Sequence, residues 1–314
     1  MPARDIIIDC DPGQDDAVAL LLALANPDKL NVLGVTTVAG NVPITLTYPN
    51  ARKVVELSGR TDVPVFRGCP RPLVAHLITA EEVHGETGLD GTDLPDPTLP
   101  EQHRHAVDFI VETLHAAEYD SVTLVPVGPM TNLAAAFAKA PEILPKVREI
   151  VIMGGAYWEG GNTTPVAEFN VMVDPEAAKS VFGCGRPLTV LSLDVTHKAL
   201  STRVRRDAIG AIGTESARQV HNMLGFYNRF DERKYGSDGG PVHDANTIAY
   251  LLKPELYEGK HVHVDVETGG ALCRGMTVVD WWGVTGKSAN ANWLHKVDDD
   301  GFFALINEAL ARLP

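Results

Sequence analysis

Four carboxylates crowd into the nine residues Ile8-Asp9-Cys10-Asp11-Pro12-Gly13-Gln14-Asp15-Asp16 near the amino terminus. Like charges this close raise one another's pKa values unless a cation holds them ionised. A donor set made of oxygens favours a hard ion, Ca²⁺ or Mg²⁺, over zinc. Helix capping by Asp15 and Asp16, in the first turn of a helix, would account for one or two of the acids but not for four. An EF-hand loop counted from Asp9 would need Gly at its sixth position and Glu at its twelfth, where the chain has Gln14 and Leu20.

Three further groups carry possible chemistry. His243-Asp244 opens an apolar helix, so Asp244 is either a cap or a further metal ligand. In the second case His243 stands one residue away, with a pKa range suited to protonating a leaving group. Ala167-Glu168-Phe169-Asn170, with Asn162 shortly before, lies in a glycine-rich irregular stretch. It is either a solvated loop or an ordered one whose carboxylate and amides recognise vicinal hydroxyls. His84-Gly85-Glu86-Thr87-Gly88 alone reads as a turn, and Asp194-Val195-Thr196-His197 as a strand end tied by local hydrogen bonds. Trp281 and Trp282 read as packing.

The elements that must position these groups alternate. β-branched apolar runs occur at Ile6–Ile8, Val32–Val38, Val63–Phe66, Val122–Val127, Ile150–Met153 and Leu188–Leu193, the third weakened by Pro64. Helical patterns at Ala17–Ala25, Arg52–Leu57, Ala106–Ala117, Asn132–Ala138 and Pro175–Phe182 fall between many of them. This order predicts an α/β fold, an open and mostly parallel sheet with helices on both faces. From 201 to about 252 the chain turns helical and more polar, a helical excursion with Arg203–Ile212 and Glu215–Lys234 outside the main sheet. Strands at His261–Val266 and Met276–Val279 and a last helix at Gly301–Arg312 follow. With no long linker or repeat, residues 1–314 read as one domain. Asp9 and Asp11, Asn41, Gly128, Met153 and Asp194 all stand at or just beyond carboxyl ends of predicted strands. In open parallel sheets that edge binds ligands, so these distant residues should converge on one pocket.

A formal charge of -14 over 314 residues, with no concentrated basic stretch, argues against a nucleic-acid partner. Cys10, Cys69, Cys184 and Cys273 lack paired spacing, which suits a reducing compartment, the cytoplasm by default. The run Ala17–Ala25 is too short to span a bilayer, and the first ten residues lack a signal pattern, so no membrane association is expected.

Taken in order, Ile6 to Asp16, Thr36-Thr37-Val38-Ala39-Gly40-Asn41, Val125-Pro126-Val127-Gly128-Pro129-Met130-Thr131-Asn132, Ile152-Met153-Gly154-Gly155, Ala167 to Asn170, Asp174-Pro175-Glu176-Ala177-Ala178 and Val242-His243-Asp244 resemble the inosine-uridine-preferring nucleoside hydrolases. The resemblance spans essentially the whole chain. It implies hydrolysis of the N-glycosidic bond of ribonucleosides, with Ca²⁺ at the bottom of the pocket. It implies that Asp11, Asp15, Asp16, the carbonyl of Val127 and Asp244 hold the ion, and that Asp11 is also the general base. Asn41, Asn162, Glu168 and Asn170 would bind ribose, His243 would be the general acid, and His84 would stand near the base. Met153, Phe169 and Tyr235 complete the expected substrate-binding set, and a homodimer or homotetramer is expected. Two positions depart from the pattern: Val127, where many members have Thr, and the aromatic arrangement from Phe230 to Tyr235, which leaves the preferred base open. Two other classes compete, a non-catalytic nucleoside or ribose sensor and a metal-dependent phosphatase. The haloacid-dehalogenase-like phosphatases also place Asp-x-Asp after a strand, but usually with Thr or Val where this chain has Gly13. No glycine-rich phosphate loop is visible to support that class.

Overall fold

The structure is a computed structural model that describes residues 2–314, the side chain of Tyr235 excepted. The role expected of Tyr235 therefore lies outside the described residues. The strands are β1 (Arg4–Cys10), β2 (Leu30–Thr37), β3 (Val65–Arg67), β4 (Val122–Pro126), β5 (Val147–Met153), β6 (Leu188–Leu191), β7 (Tyr257–Val266), β8 (Thr277–Asp280) and β9 (Ala291–Val297). The helices are α1 (Gln14–Leu24), α2 (Ile44–Leu57), α3 (Glu81–His84), α4 (Ala106–Ala116), α5 (Thr131–Lys139), α6 (Phe169–Val173), α7 (Pro175–Phe182), α8 (Leu193–Thr196), α9 (Arg203–Gly210), α10 (Glu215–Tyr235), α11 (Ala245–Leu252) and α12 (Asp299–Leu310).

All nine strands join one sheet in the order β3-β2-β1-β4-β5-β6-β9-β7-β8. The pairings from β3 through β9 are parallel, and β7 runs against both its neighbours. The mostly parallel α/β sheet expected from the alternation is thus present. Both faces are covered, as a parallel sheet requires. Along β1, Ile6 and Ile8 enter the core beneath α1, α2, α10, α11 and α12, while Ile7 enters the core beneath α4, α5 and α7. Every residue of α1 is buried. A helix apolar all round must be enclosed, and each buried Leu contributes about 1.5–3 kcal/mol. That enclosure makes α1 a rigid mount for the acids in its first turn.

The polar 201–252 region supplies α9, α10 and α11, which add no strand to the sheet, and α10 and α11 pack over α1. The short helices α3, α6 and α8 stand where a turn, an irregular stretch and a strand end were expected, and two longer elements also differ. The strand β9 was not foreseen, because Asn292, His295 and Lys296 break its apolar run; pairing with β6 and β7 buries Trp293 and Leu294 regardless. Helix α2 starts at Ile44, well before Arg52, and accommodates Pro49 in its interior. Among the described residues no helix is long and apolar enough to cross a membrane.

The strand order reverses at β1, whose neighbours are β2 on one side and β4 on the other. The crevice outside the carboxyl ends at such a switch point is where open α/β sheets bind ligands. The Asp11 loop follows β1 and Val127 follows β4, which puts the acidic motif in that crevice.

Candidate active site

The four amino-terminal acids have separate tasks. Asp9 is buried at the end of β1, and its Oδ1 accepts from Thr36 Oγ1 at 2.5 Å and from Asn132 Nδ2 at 2.8 Å, tying β1 to β2 and α5. Tethered in this way, Asp9 is poorly placed as a nucleophile. Asp16 reaches back along the turn, its Oδ2 accepting from Gly13 N at 2.9 Å and its Oδ1 from Asp11 N at 3.1 Å. It satisfies amides that a helix start leaves open, so capping does explain one of the four. Asp11 Oδ2 accepts from Asn41 N at 2.7 Å, while its Oδ1 is buried with no hydrogen-bond partner among the described residues. Glycine is required around it. A Cβ on Gly40 would fall 2.0 Å from Asp11 Oδ2, and one on Gly128 2.4 Å from Oδ1.

Asp15, Asp16 and Asp244 each present a carboxylate oxygen, all within 4.8 Å of one another, and all three are buried. Such a cluster is costly without a cation. Burial, with the neighbouring carboxylates adding to it, pushes Asp16 up to about 7 and Asp11 and Asp244 well above the carboxylate range; Asp15, also buried, rises to about 6. The all-oxygen donor set and the partnerless Asp11 Oδ1 fit a hard divalent ion. Asp11 itself lies outside the close group of three, joined to it through its own amide bond to Asp16. Val127 lines the same cavity, and its carbonyl accepts from Asn170 Nδ2 at 2.7 Å.

A cavity of about 380 Å³ opens over this cluster. Asn41, Met153, Asn162, Glu168, Phe169 and Asn170, all expected to bind substrate, line it together with Asp15, Val127 and Asp244. The 167–170 segment is therefore an ordered wall and not a solvated loop. Glu168 caps α6, its Oε1 accepting from Asn170 N at 2.9 Å and its Oε2 from Gly155 N at 3.0 Å. Burial, only partly offset by these amides, pushes it up to about 7. Asn162 Oδ1 accepts from Phe169 N at 3.0 Å, so the loop that carries it is fastened to the same helix start.

His84 and His243 line the cavity as expected. Gln14 Nε2 donates to the carbonyls of His84 and Asp90, which turns its Oε1 toward His84 Nδ1 at 2.7 Å. His84 therefore carries its proton on Nδ1, and burial lowers its pKa to about 3. His243 Nδ1 lies 2.7 Å from Thr196 Oγ1. Its environment corrects one expectation: burial, with His197 and His84 nearby, holds His243 well below the ordinary histidine range, so the imidazole rests neutral.

The sequence reading missed Tyr227, Asp231 and His197 as cavity-lining residues, and Thr196 and Gln14 as supports. Tyr227, Phe230, Asp231 and Lys234 recur at helical spacing along α10 and all line the cavity. That spacing was the available signal. Asp194 is structural, as its local reading allowed: Oδ1 accepts from the amides of Tyr157, Trp158 and Glu159, and Oδ2 from Trp293 Nε1 at 2.8 Å. Trp281 packs against Tyr157 and Trp158, whereas Trp282 is exposed.

Residues 6–304 match the model of the family described as inosine-uridine preferring nucleoside hydrolase. The chain belongs to that family. A nucleoside hydrolase relative in Shewanella baltica, named pyrimidine-specific ribonucleoside hydrolase RihA, is 47% identical over 98% of this chain and 96% of its own length. Among solved structures, a purine-preferring ribonucleoside hydrolase from Gardnerella vaginalis aligns with a TM-score of 0.90 at 29% identity, over 98% of this chain and 99% of that one. A plant nucleoside hydrolase aligns with a TM-score of 0.89 at 32% identity, over 99% of each chain. This member of the nucleoside hydrolase family is accordingly an enzyme acting on N-glycosyl bonds.

Proposed function

We propose that the chain hydrolyses the N-glycosidic bond of ribonucleosides to ribose and free base, with Ca²⁺ in the acidic crevice and pyrimidine ribonucleosides as preferred substrates. The observation that carries this reading is a convergence on one cavity. Asp15 and Asp244 of the carboxylate cluster, the amides and carboxylate of Asn41, Glu168 and Asn170, and the imidazole of His243 all line it. The pyrimidine preference is supported by relatives of 45–47% identity named pyrimidine-specific, against 29% for the purine-preferring structure.

Asp11, Asp15, Asp16, Asp244 and the Val127 carbonyl would hold the ion. When bound, calcium supplies a hard Lewis acid that orients vicinal hydroxyls and acidifies water. Asn41, Asn162, Glu168 and Asn170 bind the ribose, with Met153 and Phe169 beside them. Asp11 accepts the proton of the water attacking C1′; the bond from Asn41 N fixes its Oδ2, so Oδ1 is the atom left to take it. As the C1′–N bond breaks, the ribose becomes oxocarbenium-like, and the surrounding carboxylates stabilise that charge. Thr196 anchors His243 at Nδ1, which leaves Nε2 for the departing base. Resting neutral, His243 acts as a hydrogen-bond donor whose bond tightens as negative charge grows on the base.

The one nine-stranded sheet supports reading 1–314 as a single domain, and the four free cysteines support a cytoplasmic setting. A homodimer or homotetramer completes the proposal.

His243→Ala tests the leaving-group role. A loss of about 10²–10⁴ in kcat is expected on uridine or cytidine, with little loss on p-nitrophenyl riboside, whose leaving group needs no proton. Equal losses on both substrates would reduce His243 to a positioning residue.

A further inference from the structure

The base-side part of the cavity contains an acid that the proposed mechanism does not use. Asp231 lies on α10, half-buried, on the cavity-lining face that also carries Tyr227, Phe230 and Lys234. It is not part of the carboxylate cluster formed by Asp15, Asp16 and Asp244. Among the described residues no other residue donates a hydrogen bond to its carboxylate. The loop at Gly240 packs close behind it, since a Cβ there would lie 3.0 Å from Asp231 Oδ2. Burial and the charge of Asp15 work against ionisation, and His197 and Lys234 work for it; Asp231 settles at about 6. Above that pH the group facing the cavity is an acceptor without a donor. His84, the neutral imidazole whose ring lies 5.5 Å from that of Tyr227, keeps its proton on Nδ1 and offers a lone pair at Nε2. His84 Nε2 and the Asp231 carboxylate are thus acceptors, while the Tyr227 hydroxyl on the same face of α10 can donate as well as accept.

A base that meets the Asp231 carboxylate at C4 must bring a donor there, and uracil's donor on that edge is its ring N3–H instead. Cytosine carries an exocyclic amino group at C4, where uracil carries a carbonyl oxygen. A carboxylate accepts from the amino group and repels the carbonyl, and a charged hydrogen bond discriminates more strongly than a neutral one. We propose that Asp231 is the base-selecting residue and sets a preference for cytidine over uridine. This rests on the ribonucleoside hydrolase reading above, and it decides between two pyrimidines which that reading leaves equal.

The experiment compares kcat/KM for cytidine and uridine at pH about 8, where the carboxylate is ionised, in the wild type, Asp231→Asn and Asp231→Ala. Wild type is expected to favour cytidine by about tenfold or more. In Asp231→Asn the ratio should fall toward one, because the amide can turn either its oxygen to an amino group or its nitrogen to a carbonyl. Asp231→Ala should also fall toward one, by loss of the cytidine contact. A wild type that favours uridine overturns the inference without any variant. A cytidine preference that survives both substitutions also overturns it, while leaving the hydrolase reading intact. Release of ribose from neither nucleoside by the wild type would instead overturn the hydrolase reading, and this inference with it.

Discussion

Asp11→Asn is expected to lower kcat on a pyrimidine ribonucleoside by about 10²–10⁴, which corresponds to about 3–5 kcal/mol of barrier. Ribose affinity, read as the inhibition constant of free ribose, should change far less. The asymmetry follows from the two oxygens of this residue. Oδ2 accepts from Asn41 N, a bond that an amide oxygen can keep, so the loop that carries Asn41 stays in place. Oδ1 is buried and has no partner among the described residues, and it is the only atom of the residue free to receive a proton. Asn replaces that proton acceptor with a donor while preserving the shape that Gly40 and Gly128 were needed to admit. Unchanged turnover in the variant would remove Asp11 from the role of base and leave it a tether for the Asn41 loop.

Removal of the metal should have an effect of comparable size, and its dependence on pH has a definite sign. Without a cation, burial and repulsion raise Asp15 to about 6 and Asp16 to about 7, and Asp11 and Asp244 further. In the unfolded chain these carboxyls titrate at about 3.9. Between about pH 4 and pH 7 the folded, metal-free protein therefore holds protons that the unfolded chain has released. Its stability from these groups is complete below pH about 4 and is lost as the pH rises through the folded values. A cation binds the ionised form and reverses this loss. Calcium at about a hundredfold excess over its Kd adds about 2.7 kcal/mol. The gain in Tm on adding calcium to chelator-treated protein should thus be small at pH about 5 and large at pH about 7.5, with ribose release at background until calcium is restored. A calcium-induced gain that is equal at both pH values, or larger at the lower one, would contradict the assignment of these carboxylates as the ion's ligands.

Some of this site is legible from sequence for a physical reason. Asp9 to Asp16 are contiguous, flanked by a strand pattern and a wholly apolar helix, and four acids in such a place have few uses. Which acid does what is not legible: Asp9 is a tie between strands and Asp16 is partly a cap, distinctions made by Thr36, Asn132 and the amides of Asp11 and Gly13. The wall at Asn162 to Asn170 was readable as composition, and only the hydrogen bonds of Glu168 and Asn162 to helix amides reveal that it is ordered. Tyr227 and Asp231 were hidden because a polar helix with aromatic residues at helical spacing looks the same whether it faces water or a cavity. The neutral state of His243 could not be read at all, since it follows from burial and from neighbouring histidines distant in sequence. The same holds for β9, a strand whose burial is created by its partners.

The central claim is that the acidic crevice and its cavity cleave ribonucleosides with calcium. The most direct test is the release of free ribose and base from uridine, cytidine, inosine and adenosine, by protein stripped with a chelator and then given Ca²⁺. No release is expected before calcium, release after it, and pyrimidine ribonucleosides should be consumed faster than purine ones. Release that does not depend on the metal would contradict the role given to Asp15, Asp16 and Asp244. No release from any of the four, with calcium bound, would leave a protein that binds ribonucleosides without cleaving them.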